Sequence, residues 1–321
     1  MKVFVTRNIP KKGLDLLSKH HEIEINPHNR VLTKDEIIEG VKGKDGLLCL
    51  LTDTIDKEVI AAEPELKMIA NYAVGYNNID VQTATNRGIP VSNTPGVLTN
   101  TTAEMAWALL FAVTRRIVES DVFTRGGKFK GWDPMLLHGL DVQGKTLGVI
   151  GAGRIGTAFA LKSKGFNMRV LYVDPNENTV LNKEIGAEKT SLQKVLKESD
   201  FISVHVPLTK DTVHLIGTSE VNLLKKTAVI VNTSRGQVIN ENALIQALQK
   251  KQIFGAGLDV YEHEPSIPTE LLQLDNVVLC PHSASATVDT RTNMAVMAAK
   301  NMISGLKGRI PPDCVNPEVF E

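Results

Sequence analysis

The chain has 321 residues, of which 42% are hydrophobic and 22% are charged, and its 36 basic and 36 acidic side chains cancel to a formal net charge of +0. This composition is typical of a soluble globular protein that is long enough for two domains of ordinary size. The balanced charge argues against nucleic-acid binding and against binding to an anionic membrane surface, and no stretch is long and apolar enough to span a bilayer.

The cysteines predict neither a disulfide framework nor a zinc site. Cys49, Cys280 and Cys314 are odd in number, far apart and without a Cys-x-x-Cys pair. The first residues, Met1 to Thr6, are typical of a strand and too short for the core of a signal peptide. A reducing, cytoplasmic setting is therefore the default expectation.

Short apolar runs alternate with helical segments over the first hundred residues. We predict strands at residues 2–6, 22–25, 46–50, 67–70 and 90–91, and helices at residues 10–19, 34–41, 56–62 and 81–87. A long helix is predicted next, at residues 99–118, with Thr101 or Thr102 as its cap. Strands that alternate with helices indicate a parallel sheet covered on both faces.

From Gly144 the alternation begins again. Strands are predicted at residues 146–150, 169–173, 200–206, 227–232, 254–259 and 277–280, which gives a second doubly wound sheet of at least six strands. A final helix, residues 287–305, is expected to return to the first domain. The predicted fold is therefore α/β with two doubly wound parallel-sheet domains. One is a flavodoxin-like substrate domain (residues 1–99 plus 287–321) and the other a Rossmann dinucleotide domain (residues 100–286), with the active-site cleft between them.

A glycine motif lies at the start of the second sheet, in the sequence Gly151-Ala152-Gly153-Arg154-Ile155-Gly156. It follows a predicted strand and opens a predicted helix, residues 154–164, as in a dinucleotide-binding unit. There, Gly151 permits the tight turn, Gly153 lets the pyrophosphate approach the backbone, and Gly156 lets the helix pack closely on the strand. The helix N-terminus offers unpaired N–H groups to the phosphates. The structural alternative is a glycine-rich turn that holds no ligand.

The residues at the tip of the next predicted strand indicate which dinucleotide is bound. Asp174 ends that strand, and its carboxylate can accept hydrogen bonds from the adenosine ribose of NAD while it would repel the 2′-phosphate of NADP. Pro175, Asn176 and Glu177 follow, without an Arg or Lys that could receive a phosphate. NAD is therefore favoured, although an Asp at a strand end can also be a helix cap.

Three polar residues follow three successive predicted strands: Arg235, Glu264 and His282. Arg235 can bind a carboxylate or a carbonyl oxygen through its planar fork of donors. His282 can give or take a hydroxyl proton. Glu264, if hydrogen-bonded to the imidazole, would fix its tautomer and orientation. Together they suit hydride transfer between a nicotinamide and a 2-oxo or 2-hydroxy acid.

Each of these residues also has a structural interpretation. Arg235 could anchor a loop, Glu264 could be a turn carboxylate before Pro265, and His282 could be an ordinary loop histidine. A metal site formed by Glu262, His263, Glu264 and His282 is disfavoured, because neighbours on an extended turn point in different directions and no helix carries a ligand pair. The position of all three at consecutive strand ends beside the glycine motif favours the catalytic interpretation.

The chain resembles the D-2-hydroxyacid dehydrogenase family over essentially its whole length, and within it glyoxylate/hydroxypyruvate reductases. The resemblance is carried by residues 71–80 (NYAVGYNNID), residues 93–99 (NTPGVLT), the glycine motif and the segments around Arg235, Glu264 and His282. It implies that Arg235 binds substrate and is catalytic, that Glu264 is the partner of the histidine, and that His282 is the proton donor or acceptor.

The resemblance also implies further contacts and an assembly. Backbone N–H groups around Val74 and Gly75 are expected to hold the substrate carboxylate, and Leu51 to line the substrate pocket. Family members dimerise through a long helix and an arm, here residues 101–145, from which Trp132 is expected to reach the neighbouring subunit's site. The implied cofactor contacts, beyond the glycines, are Thr102, Arg154, Ile155, Asp174, Pro175, Val206, Pro207, Thr212, Thr233, Ser234, Arg235, Asp259, His282 and Ala284.

The sequence thus predicts an NAD-dependent homodimeric oxidoreductase that interconverts a small 2-oxo acid, such as glyoxylate or hydroxypyruvate, and the D-2-hydroxy acid. Two alternatives stay open. One is another D-2-hydroxyacid dehydrogenase, of the D-lactate or D-3-phosphoglycerate type. The other is a non-enzymatic NAD-sensing interaction protein, which the intact Arg235, Glu264 and His282 set disfavours.

Overall fold

Five parallel strands form the first sheet in a computed structural model of the protein, which describes residues 1–321. The strands β1–β5 are Lys2–Val5, Glu22–Ile25, Gly46–Leu50, Met68–Tyr72 and Val91–Ser92. The helices α1–α4 between them are Lys11–Ser18, Lys34–Val41, Lys57–Ala61 and Val81–Asn86. The strand order, β2-β1-β3-β4-β5, is that of flavodoxin-like sheets. Side chains of Thr33, Asp56 and Asp80 cap α2, α3 and α4 by accepting from free N–H groups of the first turn.

Seven parallel strands form the second sheet, which follows two helices, α5 (Thr99–Thr114) and α6 (Ile117–Arg125). Strands β6–β12 are Thr146–Ile150, Arg169–Val173, Glu188–Lys189, Phe201–Val204, Val229–Asn232, Gly255–Leu258 and Val277–Leu279. Helices α7–α12 are Arg154–Lys162, Thr179–Ile185, Leu192–Glu198, Thr218–Val221, Glu241–Gln249 and Thr269–Leu272. The order β12-β11-β10-β9-β6-β7-β8 reverses between β6 and β9, as in a Rossmann sheet. The prediction of two doubly wound α/β sheets is confirmed.

An aromatic cluster packs α5 against α7, a helix that covers the second sheet. The Trp107 ring stacks at 5.0 Å on Phe159 of α7 and at 5.2 Å on Phe166, and its indole N–H donates to the carbonyl oxygen of Phe159 at 3.0 Å. Aromatic pairs at these separations add to the free energy gained from burying their apolar area. The helix that carries Thr102 is thereby held against α7, the helix that follows the glycine motif.

The last helix, α13 (Val288–Leu306), belongs with the first sheet. It packs on α1 so closely that a Cβ on Gly13 would lie 2.6 Å from the Ala295 backbone, and it also contacts β4. Two compact units result: Met1–Leu98 with Ala286–Glu321, and Thr99–Ser285. None of the helices combines the length and the apolar character needed to cross a bilayer.

The predicted single helix at residues 99–118 is wrong. The chain forms α5 and then α6, because Arg116 between them has a left-handed backbone with φ of +51°. The returning chain blocks continuation of α5: Gly139 lies so close that its Cβ would be 2.1 Å from the Thr114 carbonyl oxygen, and that oxygen accepts from the Leu140 N–H at 2.8 Å. No glycine or proline marks this break, which is why the apolar spacing concealed it.

Two smaller expectations also differ from the structure. The cap proposed at Thr101 or Thr102 is wrong, because α5 begins at Thr99 and both residues lie inside its first turn. Strand β8, two exposed charged residues, was not predicted, because so short a polar edge carries no hydrophobic pattern. The other predicted elements are present with ends within two residues of those found.

Candidate active site

The glycine motif forms the loop between β6 and α7, where the strand order reverses. Gly151 has φ of +92°, and a Cβ there would lie 2.8 Å from the backbone nitrogen of Val206. A Cβ on Gly156 would lie 1.9 Å from the Gly151 carbonyl oxygen, whereas a Cβ on Gly153 would meet no atom within 4 Å. The loop itself therefore requires Gly151 and Gly156, while the bare backbone of Gly153 leaves an open face.

The N-terminus of α7 has no side-chain cap. Gly153 is its N-cap residue, and Arg154 and Ile155 are the first helical residues. The first N–H groups of a helix lack partners within it and carry partial positive charge. An open glycine backbone beside uncapped N–H groups fits a diphosphate.

Asp174 directly follows β7 and braces this loop. One carboxylate oxygen accepts from the Ala152 N–H at 2.9 Å, and the other accepts from the Asn176 N–H at 2.9 Å. The Asn178 side chain donates to the Ala152 carbonyl oxygen at 2.8 Å. Each Asp174 oxygen keeps a lone pair that could accept a ribose hydroxyl.

A cation that was not predicted as a site residue, Lys189, lies near the end of β7, which Asp174 directly follows. Lys189 of β8 donates through Nζ to the carbonyl oxygen of exposed Pro175 at 2.8 Å. It is fifteen residues away from Asp174 in the chain, so only the pairing of β7 with β8 brings it there. An ammonium group attracts a phosphate, so its position beside Pro175 matters for the choice of dinucleotide proposed below.

Further predicted cofactor residues follow strands β9 and β10. Val206 is partly buried beside Gly151, and Pro207 is exposed. The Thr212 hydroxyl already donates to the Pro207 carbonyl oxygen at 2.6 Å, so it shapes this loop. The Thr233 hydroxyl is buried without a hydrogen-bond partner, which is unusual for a native interior and fits a site that a ligand completes.

The open face at Gly153 leads to a paired prediction. We expect Gly153→Ala to leave Tm unchanged, because the new methyl group meets no atom, but to weaken NADH binding about tenfold or more. We expect Gly156→Ala to lower Tm by roughly 5 °C or more, because its methyl group collides with the Gly151 carbonyl. Thermal unfolding and NADH titration of both variants test this, and equal loss of Tm in the two would contradict it.

Arg235 follows β10 and is held by the backbone of its own turn. Its carbonyl oxygen accepts from the Asn232 amide at 2.9 Å, and Ser234 also bonds to Asn232 through both its N–H and its hydroxyl. Burial lowers the pKa of the Arg235 guanidinium, and the negative charge of Glu264 acts in the opposite direction. The side chain is thus a desolvated cation, able to bind an oxyanion more strongly than a solvated one would.

His282 and Glu264 form a hydrogen-bonded pair. Nδ1 of His282 lies 2.8 Å from Oε2 of Glu264, and the two side chains are 24% and 30% exposed. Burial acts to raise the Glu264 pKa, but the His282 hydrogen bond and nearby positive charge outweigh it, so the pKa is lowered and the carboxylate is ionised at neutral pH. With Nδ1 directed to Glu264, Nε2 is the nitrogen left to exchange a proton with substrate.

Buried polar contacts hold this pair in place. Both carboxylate oxygens of Asp259, which is fully buried, accept N–H groups of the histidine loop: from Ser283 at 2.7 Å and from Ala284 at 2.8 Å. The Tyr261 hydroxyl donates to the Cys280 carbonyl oxygen at 2.8 Å, and its N–H donates to Glu264 at 3.0 Å. Asp259 and Ala284, predicted as cofactor contacts, therefore anchor the loop of His282.

The segments that carry Arg235 and Glu264 are also locked to each other. A Cβ on Gly236 would lie 1.9 Å from the Tyr261 carbonyl carbon, and the Gln237 side chain donates to the Glu262 carbonyl oxygen at 2.7 Å. The structure thus places Arg235, Glu264 and His282 after three adjacent strands, β10, β11 and β12, in contacting segments of one unit.

The predicted substrate residues of the first unit lie in loops after its neighbouring strands β3 and β4. Leu51 begins the loop after β3, and Val74 and Gly75 lie in the loop after β4. Three asparagine side chains that were not predicted as site residues brace these loops: Asn71, Asn78 and Asn93. Only Asn71 gives a signal in the sequence, as a polar residue within the buried apolar strand β4.

Two other predicted residues have contrasting surroundings. Trp132 is 86% exposed in the arm, and Thr102 is buried inside α5.

Comparison with known proteins agrees with this geometry. Residues 107–284 match the model of the D-isomer specific 2-hydroxyacid dehydrogenase NAD binding domain. The chain is 53% identical to a glyoxylate reductase of Korarchaeum cryptofilum, over 100% of this chain and 97% of that protein, and 51% identical to one of Thermococcus litoralis, over 99% and 98%.

Solved structures share the whole fold. An NADPH-dependent glyoxylate/hydroxypyruvate reductase from Sinorhizobium meliloti, in complex with NADP and malonate, superposes with a TM-score of 0.87 at 30% identity, over 100% of this chain and 98% of that one. The D-lactate dehydrogenase of Escherichia coli superposes with a TM-score of 0.83 at 30% identity, over 98% and 100%. The NAD-binding match and the full-length likeness to reductases identify an oxidoreductase with a nicotinamide dinucleotide cofactor, and the chain belongs to the D-2-hydroxyacid dehydrogenase family.

Proposed function

We propose that the protein reduces glyoxylate, hydroxypyruvate or a similar small 2-oxo acid with NADH, and forms the D-hydroxy acid where the product is chiral. The observation that carries this is the His282–Glu264 pair at 2.8 Å, in a segment locked to that of Arg235. A proton donor beside a desolvated guanidinium suits a carbonyl that becomes an alcohol. The full-length likeness to glyoxylate reductases supports the choice of substrate.

Each side chain has a distinct role in this reaction. When bound, the reduced nicotinamide supplies the hydride that the substrate carbon receives. The Arg235 guanidinium donates hydrogen bonds to the substrate oxygens and stabilises the negative charge that builds up on the carbonyl oxygen. Nε2 of His282 gives that oxygen a proton, and the ionised Glu264 carboxylate stabilises the protonated ring through Nδ1 before transfer.

The first unit carries the other predicted substrate residues. We propose that the N–H groups of Val74 and Gly75 hold the substrate carboxylate and that Leu51 lines the pocket for the substituent on C2. The Val74 and Gly75 N–H groups donate to no other group in the protein, which leaves them available to an anion.

The cofactor preference is proposed from the tip of β7. The Asp174 carboxylate would accept the ribose hydroxyls of NADH and repel the phosphate of NADPH. Lys189, beside Pro175, weakens that repulsion, since an ammonium group there attracts a phosphate. We propose that the repulsion of the phosphate by Asp174 outweighs its attraction by Lys189, because Asp174 braces the loop directly through Ala152.

Substitution at Asp174 tests this balance. We expect Asp174→Asn to lower kcat/KM with NADH a few-fold and to raise it with NADPH about tenfold or more, since the repulsive charge goes while Lys189 stays. In the double variant with Lys189→Gln the gain with NADPH should largely vanish. The check is the pair of kcat/KM values for the two cofactors in each variant; an unchanged ratio would remove Asp174 from cofactor selection.

We propose that the protein is a cytoplasmic homodimer. Helix α6 has no buried residue, and α6 and the arm after it expose Ile117, Val122, Phe129, Trp132 and Met135, at 51% to 86%. Exposed large apolar side chains in this number along one segment favour an interface, and in a dimer Trp132 would extend toward the substrate site of the second subunit. Sedimentation velocity tests the dimer. The cytoplasmic location is supported by three free cysteines.

The reaction is tested by following NADH, and separately NADPH, as glyoxylate, hydroxypyruvate, pyruvate and 2-oxoisocaproate are added to the pure protein. Rapid NADH oxidation with glyoxylate and hydroxypyruvate supports the proposal. Turnover of pyruvate alone would indicate a D-lactate type of dehydrogenase. No turnover of any acid, despite tight NADH binding, would favour a dinucleotide-sensing protein.

A further inference from the structure

Three consecutive carbonyl oxygens in the loop of residues 73–78 each accept a hydrogen bond from a donor in the first unit. The Ala73 oxygen accepts from the Thr94 N–H at 2.8 Å. The Val74 oxygen accepts from the Asn93 side-chain amide at 2.7 Å, and the Gly75 oxygen from the Asn71 side-chain amide at 2.9 Å. Two of these three bonds come from asparagine side chains, so side chains set the orientation of the peptide planes.

The orientation of the carbonyls fixes that of the N–H groups. In a trans peptide the C=O of one residue and the N–H of the next point in opposite directions. The N–H groups of Val74, Gly75 and Tyr76 therefore point away from Thr94, Asn93 and Asn71, and none of the three donates to another group in the protein. Successive N–H groups held in this way form a concave site for an anion.

A further asparagine joins this loop to its neighbour. The Asn78 side chain accepts from the Asn71 amide at 3.2 Å and donates to the carbonyl oxygens of Leu50 and Asp53, each at 3.0 Å. The loop of residues 50–53 is fixed in turn by the buried Asp53 carboxylate, which accepts from the Leu50 N–H at 2.8 Å and from the Thr6 hydroxyl. A continuous chain of hydrogen bonds through the side-chain amides of Asn71 and Asn78 thus connects the Gly75 carbonyl oxygen to both ends of the loop of residues 50–53.

We propose that Asn71, Asn78 and Asn93 are positioning residues, whose side-chain amides aim the Val74–Tyr76 N–H groups at the substrate carboxylate and, through Asn78, fix the distance from that carboxylate to Leu51. This rests on the proposed function, in which this loop binds the 2-oxo acid. Asn93 controls the Gly75 N–H alone, whereas Asn78 controls the spacing between the two loops. The two residues therefore have separable effects on affinity and on selectivity for substrate size.

The test compares Asn93→Ala and Asn78→Ala, both of partly buried residues, with a control in the same unit. Asn316 is a buried asparagine that likewise bridges backbone groups: its amide donates to the Ile89 oxygen at 3.0 Å and its oxygen accepts from the Val91 N–H at 2.7 Å, at the other end of strand β5. Asn316→Ala removes a comparable bridge without touching the 73–78 loop. The readouts are KM and kcat for glyoxylate, Kd for NADH, Kd for oxamate with NADH bound, and Tm.

We expect Asn93→Ala and Asn78→Ala to raise the KM for glyoxylate and the Kd for oxamate about tenfold, with kcat and the Kd for NADH within about threefold of the wild type. Asn78→Ala alone should also lower the preference for glyoxylate over 2-oxoisocaproate. Asn316→Ala should lower Tm and leave KM within about twofold.

The outcomes separate this inference from the proposed reaction. If the two loop variants raise KM no more than Asn316→Ala does at a similar loss of Tm, the asparagines are structural only and the inference is overturned. If the wild type binds oxamate but turns over no 2-oxo acid, and both loop variants lose oxamate, the reaction fails and the anion-positioning role stands. If the wild type does not bind oxamate, the positioning role is also overturned.

Discussion

His282→Asn is expected to lower kcat for glyoxylate reduction about 1,000-fold, because it removes the group that donates the proton, and general acid catalysis contributes about 100- to 10,000-fold. Asn is the suitable replacement because His282 has φ of +52°, a left-handed conformation that Asn adopts more readily than most residues. NADH binding and Tm should change little, so the loss falls on the chemical step. Steady-state kinetics with a parallel NADH titration measure this.

A neighbouring histidine provides the control. His263 is exposed and lies one residue before Glu264 in the chain, so His263→Gln changes the same segment without removing the proton donor. Its kcat should stay within about twofold of the wild type. A His282→Asn enzyme that retained a tenth or more of its activity would show that another group, or water, delivers the proton. The 2.8 Å contact with Glu264 would then have a structural role alone.

Most of the fold could be predicted because the central strands of both sheets are buried on both faces. Strands β6 and β10 are continuous apolar runs between turn residues, and such runs are visible in one sequence. The break between α5 and α6 could not be predicted. It depends on the returning chain at Gly139 and Leu140, which packs against the Thr114 carbonyl, and this contact crosses some twenty-five residues. Long-range packing of this kind overrides local helical spacing.

The candidate site, like the fold, could be predicted only in part. Arg235, Glu264 and His282 could be predicted because each follows a strand, and parallel strands bring their carboxyl ends to one edge. The bracing of that edge could not, because the role of Asp259 depends on where the Ser283 and Ala284 N–H groups lie. The resemblance implies that Asp259 contacts the cofactor, and this stays a prediction; its bonds to the N–H groups of Ser283 and Ala284 are visible only in the structure.

The supporting asparagines and Lys189 were hidden for a related reason. Asn78 and Lys189 act through backbone oxygens of Leu50, Asp53 and Pro175, and a backbone oxygen carries no signature of its own in the sequence. Only the pairing of β3 with β4 and of β7 with β8 brings these groups together. Side chains that act on substrate are therefore easier to predict than side chains that position the backbone.

Substitution of Arg235 should have an equally large effect. We expect Arg235→Ala to lower kcat/KM about 1,000-fold or more, which corresponds to about 4 kcal/mol of lost transition-state stabilisation, while NADH binding is retained. Arg235→Lys should recover little of this, because an ammonium group lacks the planar fork that can bind two oxygens at once. Stopped-flow or steady-state reduction of glyoxylate, with NADH titration alongside, gives both quantities.

The comparison of Arg235→Ala with Arg169→Ala separates substrate binding from general loss of charge. Arg169 lies in the same unit, where it bonds the carboxylates of Glu188 at 3.1 Å and Glu198 at 2.8 Å on an exposed surface. Exposed pairs contribute about 0–1 kcal/mol, so this control should keep its kcat/KM and lose at most a little stability. If Arg235→Ala lost NADH binding and turnover equally, its guanidinium would serve the cofactor or the loop fold. Retained NADH binding with lost turnover would instead assign to it the developing charge on the substrate oxygen.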